Sequence, residues 1–358
     1  MATVVLAGGG TAGHIEPALA VARQWLVSHP TDNCIFLGTK SGLEVSLVPA
    51  AGFELFTIPR IRISRKPSLS WLRIPVDLIA SVMASLKVVK RADVLVGFGG
   101  YVSAPAYLAA AITRTPFVIH EANAKPGWAN RLGARFTSHL AVSHPVENGA
   151  FSEALLAGLP LRSDVAQASI ESSSDWAKAR LAAKKRLGFS GDQPLVFIMG
   201  GSQGSLAING VIADAIPTFI NNKVSVLHSV GKLNALPDAV DGYRPVPYVE
   251  AMADAYLAAD LIIGRSGAVT CSEFRALGRY ALFVPLPIGN GEQFVNAASL
   301  VKDGRAEVIA QKDFTAKYLS EHLMDLLNKA SHAPIAGDIQ DLYAAQKISA
   351  LAEFAMQS

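Results

Sequence analysis

Near its start the chain reads "VVLAGGGTAGHIEPALAVA": an apolar run stops at Gly8, Gly9 and Gly10, passes Thr11, Ala12 and Gly13, and reaches His14 just before an alanine-rich helical pattern. Glycine after a strand lets backbone take positive φ and lets a ligand come close, and the next helix offers unpaired N–H groups and a positive dipole end. That combination suits a diphosphate. An imidazole beside it titrates in the range useful for a general base at neutral pH. Gly8, Gly10 and Gly13 formally spell GxGxxG, but an acidic ribose ligand about 20 residues on is missing, with only Asp32 in a turn-like "HPTDN". Dinucleotide chemistry therefore ranks last.

The same unit recurs. "DVLVGFGG", "PLVFIMGGSQG" and "DLIIGRSG" are also short apolar runs ending in glycine, each followed by a helical pattern, and "NCIFLGT", "FVIHEAN" and "ALFVPLP" add further strands. Strand, tight turn, helix is the repeat of a parallel sheet covered on both faces, and continuous hydrophobicity suits strands buried on both sides. The 358 residues exceed one ordinary core, and 51% hydrophobic with 17% charged residues describes a packed α/β protein. We expect two Rossmann-like domains facing across a cleft, over residues 1–163 and 164–337, with a terminal helix in 338–358 packing back on the first. An amphipathic basic helix is expected over Asp175 to Leu187. In such sheets ligands sit beyond the carboxyl ends of the strands, where these glycine turns lie.

Cys34 and Cys271 lack metal-ligand spacing and read as buried free thiols of a reducing compartment. No apolar stretch reaches a membrane span and no basic leader is present, so a cytoplasmic protein is expected. A net charge of +3 gives no argument for nucleic acid. From Arg60 to Arg91, however, "RIRISRKPSLSWLRIPVDLIASVMASLKVVKR" sets Arg60, Arg62, Arg65, Lys66 and Arg73 beside Trp71, Leu72 and Ile74. Basic residues next to such apolar ones are what contact with an anionic membrane surface requires, here through the Arg60 to Met83 region. Leu78, Ile79, Val82, Met83 and Leu86 read as the apolar side of a helix packed on the sheet.

"GGGTAGHIEPALAVA", "GFGGYVSAPAYLAA", "HEANAKPGWANR", "GLPLRSDV", "GGSQGS", "RSGAVTCSE" and "EQFVNA" occur in the order found in the MurG family, which this sequence resembles over nearly its whole length. It departs at Ala12, where the family's first loop usually has glycine, and at Glu292, where many members have glutamine. The resemblance implies a GT-B glycosyltransferase with no metal and no cofactor. It would transfer N-acetylglucosamine from UDP-N-acetylglucosamine, with inversion, to the 4-hydroxyl of the undecaprenyl-linked muramoyl-pentapeptide (lipid I to lipid II) in peptidoglycan synthesis. It further implies a peripheral place on the cytoplasmic face of the cell membrane, beside cell-wall synthesis and division proteins.

Roles carry over position by position. His14 is the implied base, with Glu121 as its rival, and spacing leaves Glu16 open as well. Thr11, Ala12 and Gly13 would face the acceptor diphosphate, Tyr101 the acceptor, Asn123 the donor sugar and Arg162 a diphosphate. In the second half, Ser202 belongs to one donor loop and Ser266 to Thr270 supplies another, with Ala268, Val269, Thr270, Cys271 and Ser272 counted as substrate-binding. Val249 would hold uracil through its backbone, Glu273 the ribose hydroxyls and Gln293 the sugar hydroxyls. A carboxylate is a natural bidentate acceptor for a cis diol, although "TCSE" also spells a capping box that would spend Glu273 on the Thr270 N–H. The alternatives are a UDP-sugar 2-epimerase, a diacylglycerol glycosyltransferase, or a sugar-nucleotide-binding membrane scaffold without catalysis.

Overall fold

A computed structural model describes residues 1–61, 74–287, 291–334 and 337–358. The first unit spans Met1–Arg162 and regains the chain at Gln340–Ser358; the second is Ser163–Ile339.

In the first unit, strands and helices alternate as β1 (Thr3–Ala7), α1 (Ala12–Ser28), β2 (Asn33–Gly38), α2 (Glu44–Ala50), β3 (Glu54–Thr57), α3 (Ile74–Val89), β4 (Val94–Gly97), α4 (Ser103–Thr113), β5 (Phe117–Glu121), α5 (Trp128–Gly133), β6 (Leu140–Val142) and β7 (Leu155–Leu156). These strands form one parallel sheet in the order β3-β2-β1-β4-β5-β6-β7. Order reverses between β1 and β4, so this is the topological switch point where an open α/β sheet binds its ligand.

The second unit continues as α6 (Ser163–Ser172), α7 (Trp176–Arg186), β8 (Leu195–Met199), α8 (Leu206–Asn221), β9 (Ser225–Ser229), β10 (Tyr243–Val246), α9 (Met252–Ala258), β11 (Leu261–Gly264), α10 (Ala268–Leu277), β12 (Ala281–Phe283), α11 (Glu292–Lys302), β13 (Ala306–Val308) and α12 (Ala316–His332). Its sheet, again parallel, runs β10-β9-β8-β11-β12-β13, which puts the switch point between β8 and β11. Every residue of β4, β8 and β11 is buried, which accounts for the unbroken apolar runs.

After a 3-10 turn at Gln340–Tyr343, the final helix α13 (Ala344–Gln357) lays Ile348, Ala352 and Ala355 into the same core as Val4, Ala18 and Trp25 of the first unit. Asp341 fastens the return by accepting the Leu159 N–H at 2.9 Å.

The expected helix over Asp175 to Leu187 is present as α7, and α3 departs from its sequence reading. α7 is capped by Asp175, which accepts from the Lys178 N–H. Its Lys184 is fully buried, donating to Asp260 at 2.9 Å and to the Gln193 carbonyl at 2.6 Å. A buried ammonium is tolerated only when paired in this way. In α3 the buried residues are Ser81, Ser85 and Val89, while Val76, Ile79 and Met83 are 66%, 63% and 59% exposed. Small serines let α3 pack closely on α4, and Ser81 also bonds the Pro59 carbonyl at 2.7 Å. The apolar stripe that includes Ile79 and Met83 therefore faces out. Arg62, Arg65, Lys66, Trp71, Leu72 and Arg73 lie outside the described residues.

Candidate active site at two glycine-lined switch points

At the first switch point the loops after β1 and β4 pack against each other. Thr11 is the N-cap of α1 and makes no side-chain cap, and the first turn holds no acidic residue, so Ala12, Gly13 and His14 form a helix start with its dipole unopposed. Thr11 Oγ1 lies 3.1 Å from His14 Nδ1. Gly100, at φ +81°, closes over this ring: a Cβ there would stand 2.8 Å from the Gly9 carbonyl and 3.2 Å from His14 Nδ1, so only glycine fits. Ser103 ties the two loops together by donating to both the Ala7 and Gly99 carbonyls at 2.8 Å. Burial lowers the His14 pKa below 6.5, opposed by the carboxylate of Glu121, the Gly9 backbone and the carboxylate of Glu44. Burial thereby favours the neutral ring.

Glu121, at the end of β5, is buried and fully engaged. Its oxygens accept from Asn123 N at 2.9 Å, Asn123 Nδ2 at 3.2 Å, Gly127 N at 2.8 Å and Asn130 Nδ2 at 2.9 Å. Asn130 in turn accepts from Tyr107 Oη at 2.8 Å. This network shapes the loop that carries Asn123. His120 is also buried, its Nε2 2.9 Å from the Gly158 carbonyl, and desolvation takes its pKa down to about 4.

At the second switch point α8 and α10 start without an acidic residue in their first turns. Ser205 caps α8, and Gly267 is the N-cap of α10. Between the loops lies buried Arg265, which donates to the carbonyls of Val284 at 2.7 Å and Pro285 at 3.1 Å, to Ser205 Oγ at 2.8 Å and to Gln311 Oε1 at 2.6 Å. All four acceptors are neutral, and among the described residues no carboxylate pairs with this guanidinium. Its neighbour Ser266 has a buried Oγ with no hydrogen-bond partner among the described residues. Two helix starts, one uncompensated cation and one idle hydroxyl make a site for an anion.

Known proteins resemble this chain over most of its length. Residues 4–142 match the glycosyltransferase family 28 N-terminal domain and residues 195–350 its C-terminal domain. A protein of Paenarthrobacter aurescens is 44% identical over 337 residues, covering 92% of this chain and 88% of its own length. One of Thermobifida fusca is 44% identical over 334 residues, covering 90% and 85%. Both are named UDP-N-acetylglucosamine–N-acetylmuramyl-(pentapeptide) pyrophosphoryl-undecaprenol N-acetylglucosamine transferase. The chain belongs to this MurG family. The crystal structure of Acinetobacter baumannii MurG superposes with a TM-score of 0.67 at 26% identity, covering 99% of this chain and 100% of that one. Two α/β domains with parallel sheets make this a GT-B glycosyltransferase, as its sequence suggested. A UDP-N-acetylglucosamine 2-epimerase from Neisseria meningitidis, at 14% identity and TM-score 0.58, shares the fold alone.

Against the roles that MurG resemblance implied, the structure gathers Thr11, Ala12, Gly13 and His14 at one helix start. Arg162 Nη1 lies 3.7 Å from Glu16 on α1. Tyr101 is exposed, its ring centroid 6.3 Å from that of Trp128. In the second unit Ser202 stands in the loop between β8 and α8, and Ala268, Val269 and Thr270 form the first turn of α10. Cys271 and Ser272 are buried in that helix, and desolvation pushes the Cys271 thiol up to about 12. Val249 is likewise buried in the core, leaving its backbone as the contact surface. Gln293 Oε1 accepts from Leu286 N at 2.9 Å. The capping-box reading of "TCSE" fails, because α10 begins two residues earlier than Thr270 and Glu273 Oε2 accepts from Tyr256 Oη at 2.8 Å. Sequence reading missed Glu44 and Arg265. Both stood inside glycine-containing stretches, "KSGLEVS" and "GRSGAV", and for Arg265 a charge at the end of an apolar strand was the available signal.

Proposed function

We propose that this chain transfers N-acetylglucosamine from UDP-N-acetylglucosamine to the 4-hydroxyl of the lipid-linked muramoyl-pentapeptide diphosphate, making the disaccharide lipid precursor of peptidoglycan. The observation that carries this reading is identity of 44% over 92% of the chain to a transferase named for that reaction. The switch-point chemistry supports it. His14 takes the hydroxyl proton as that oxygen attacks C1 of the donor sugar from the face opposite the diphosphate. The C1–O bond breaks, configuration inverts and UDP departs. Charge gathering on UDP is met by the starts of α8 and α10, by Ser202 and Ser266, and by Arg265. Glu273 accepts from the ribose hydroxyls, and the α1 start with Thr11 to Gly13 receives the acceptor diphosphate.

The test mixes the protein with labelled UDP-N-acetylglucosamine and a short-chain muramoyl-diphosphate lipid in chelator. Labelled disaccharide-lipid is the expected product and also establishes transfer without a divalent ion. Turnover of the donor without acceptor would instead indicate the epimerase, and donor binding with no turnover would indicate a scaffold.

The lipid acceptor calls for a membrane-facing surface, and α3 supports one. Val76, Ile79, Ala80 and Met83 line one exposed side of the helix, and exposed Lys87, Lys90 and Arg91 follow. Among the described residues no helix is long and apolar enough to cross a membrane. Apolar side chains edged by cations suit the interface of an anionic bilayer. The Ile79→Glu/Met83→Glu variant is expected to sediment about tenfold less with anionic liposomes, roughly the loss of two buried side chains offset by solvation. Unchanged sedimentation would discard α3 as the contact.

A further inference from the structure

Behind the loop that carries His14 lies a group with no role in the reading above. Glu44, in the first turn of α2, is fully buried. Its Oε1 accepts from Thr39 N at 2.7 Å and Thr39 Oγ1 at 2.9 Å, while Oε2 accepts from Gly10 N at 3.0 Å. The surrounding chain is shaped to admit it. A Cβ on Gly42 would stand 2.0 Å from Glu44 Oε2, and one on Gly38 would stand 2.5 Å from its Cγ. A Cβ on Gly9 would stand 3.0 Å from Oε1. Three glycines, from the loop after β1 and from the end of β2 and its connection to α2, thus give up side chains to enclose one carboxylate.

A carboxylate directly behind an anion-binding turn works against that anion, so its burial there needs another reason. The Gly10 N–H supplies it. Because Glu44 takes this amide inward, the donors left to face outward are those of the following helix start, and the turn into His14 is fixed at its entry. We propose that Glu44 is a positioning residue for transfer: by anchoring Gly10 it aims the Thr11–Gly13 helix start at the acceptor diphosphate and holds His14 against Gly100. The inference rests on the assignment of His14 as base.

Glutamine at this position is nearly isosteric but cannot serve both sides. With its oxygen on the two Thr39 donors, its NH₂ meets the Gly10 N–H, donor against donor. Glu44→Gln is therefore expected to lower kcat/KM for the muramoyl-lipid acceptor about tenfold to a hundredfold, the range for a buried partner left unsatisfied. The dissociation constant for UDP should stay within about twofold, since that site is in the other unit. Thr39→Val removes a different bond to the same carboxylate and spares Gly10, so its kinetics should stay within about threefold of wild type. A merely structural Glu44 predicts that both variants lose activity in step with their melting temperatures. The acid limb of kcat/KM adds a second readout: removing a carboxylate that favours protonated His14 moves the limb to lower pH in Glu44→Gln. Wild-type kinetics in Glu44→Gln, or equal losses in Thr39→Val, would overturn the proposal. If His14→Ala itself leaves turnover unchanged, the assignment of the base fails instead.

Discussion

The two switch points share a plan and differ in the charge placed behind it. Each has glycine loops at the ends of adjacent parallel strands and helix starts without acidic residues. In the first unit, what stands behind the loops is negative: Glu44 beneath Gly10 and Glu121 at the end of β5, both near His14. In the second it is positive, the guanidinium of Arg265 with four neutral acceptors. Carboxylates near an imidazole stabilise the imidazolium formed when it takes a proton, whereas a fixed cation stabilises a leaving diphosphate. Under the proposed function, the same frame serves proton transfer in one half and anion retention in the other.

The contrast breaks hardest at His14. In the His14→Ala variant kcat should fall by about 10²–10⁴, the usual worth of a positioned general base, with UDP affinity unchanged in calorimetry. A wild-type rate would leave the negative half of the comparison without a purpose.

Arg265→Met is the matching test on the other side. A unit charge several ångströms from a diphosphate at an effective dielectric near 20 contributes about 2 kcal/mol, so UDP should bind about 10–100-fold more weakly. Uridine, which lacks the phosphates, should bind as before. Arg265→Lys keeps the charge while losing most of the four bonds, and should recover part of the UDP affinity. Equal weakening of UDP and uridine would reduce Arg265 to a brace between Ser205 and the loop after β12.

Much of this plan was legible in the sequence, and the failures have physical causes. Continuous apolar runs closed by glycine announced parallel strands with ligand-facing turns, because such strands are buried on both faces. Glu44 was not legible: it follows a polar loop, and its burial depends on Gly9, from the distant loop after β1, meeting Gly38 and Gly42 just before it in the chain. Arg265 stands among glycines in "GRSGAV", and nothing local says that its partners are the Val284 and Pro285 carbonyls. In α3 apolar residues occur all round the helix, so periodicity could not say that Ser81 and Ser85 face inward and Ile79 and Met83 outward. Thr270 to Glu273 matched a capping box by spacing alone, while Gly267 started the helix earlier.

The smallest effect separates the halves by pH. Burial puts the His14 pKa below 6.5, so kcat/KM for the acceptor should be flat above neutrality and fall as pH drops through an acid limb centred below 6.5. Glu121→Gln, removing the larger opposing carboxylate, should move that limb to lower pH, and further than Glu44→Gln does. Donor binding should not follow. UDP-N-acetylglucosamine is a diphosphate diester with no group titrating between about pH 5 and 8, and Arg265 stays charged throughout. Folding sets the lower end of the usable window. His120 in one half and His228 in the other are buried with pKa values taken down to about 4, so between 4 and 6.5 the unfolded chain binds more protons and stability falls as pH falls. Donor affinity measured beside turnover separates the two processes: if both decline together on acidification, the limb reports unfolding, and if only turnover declines, it reports His14.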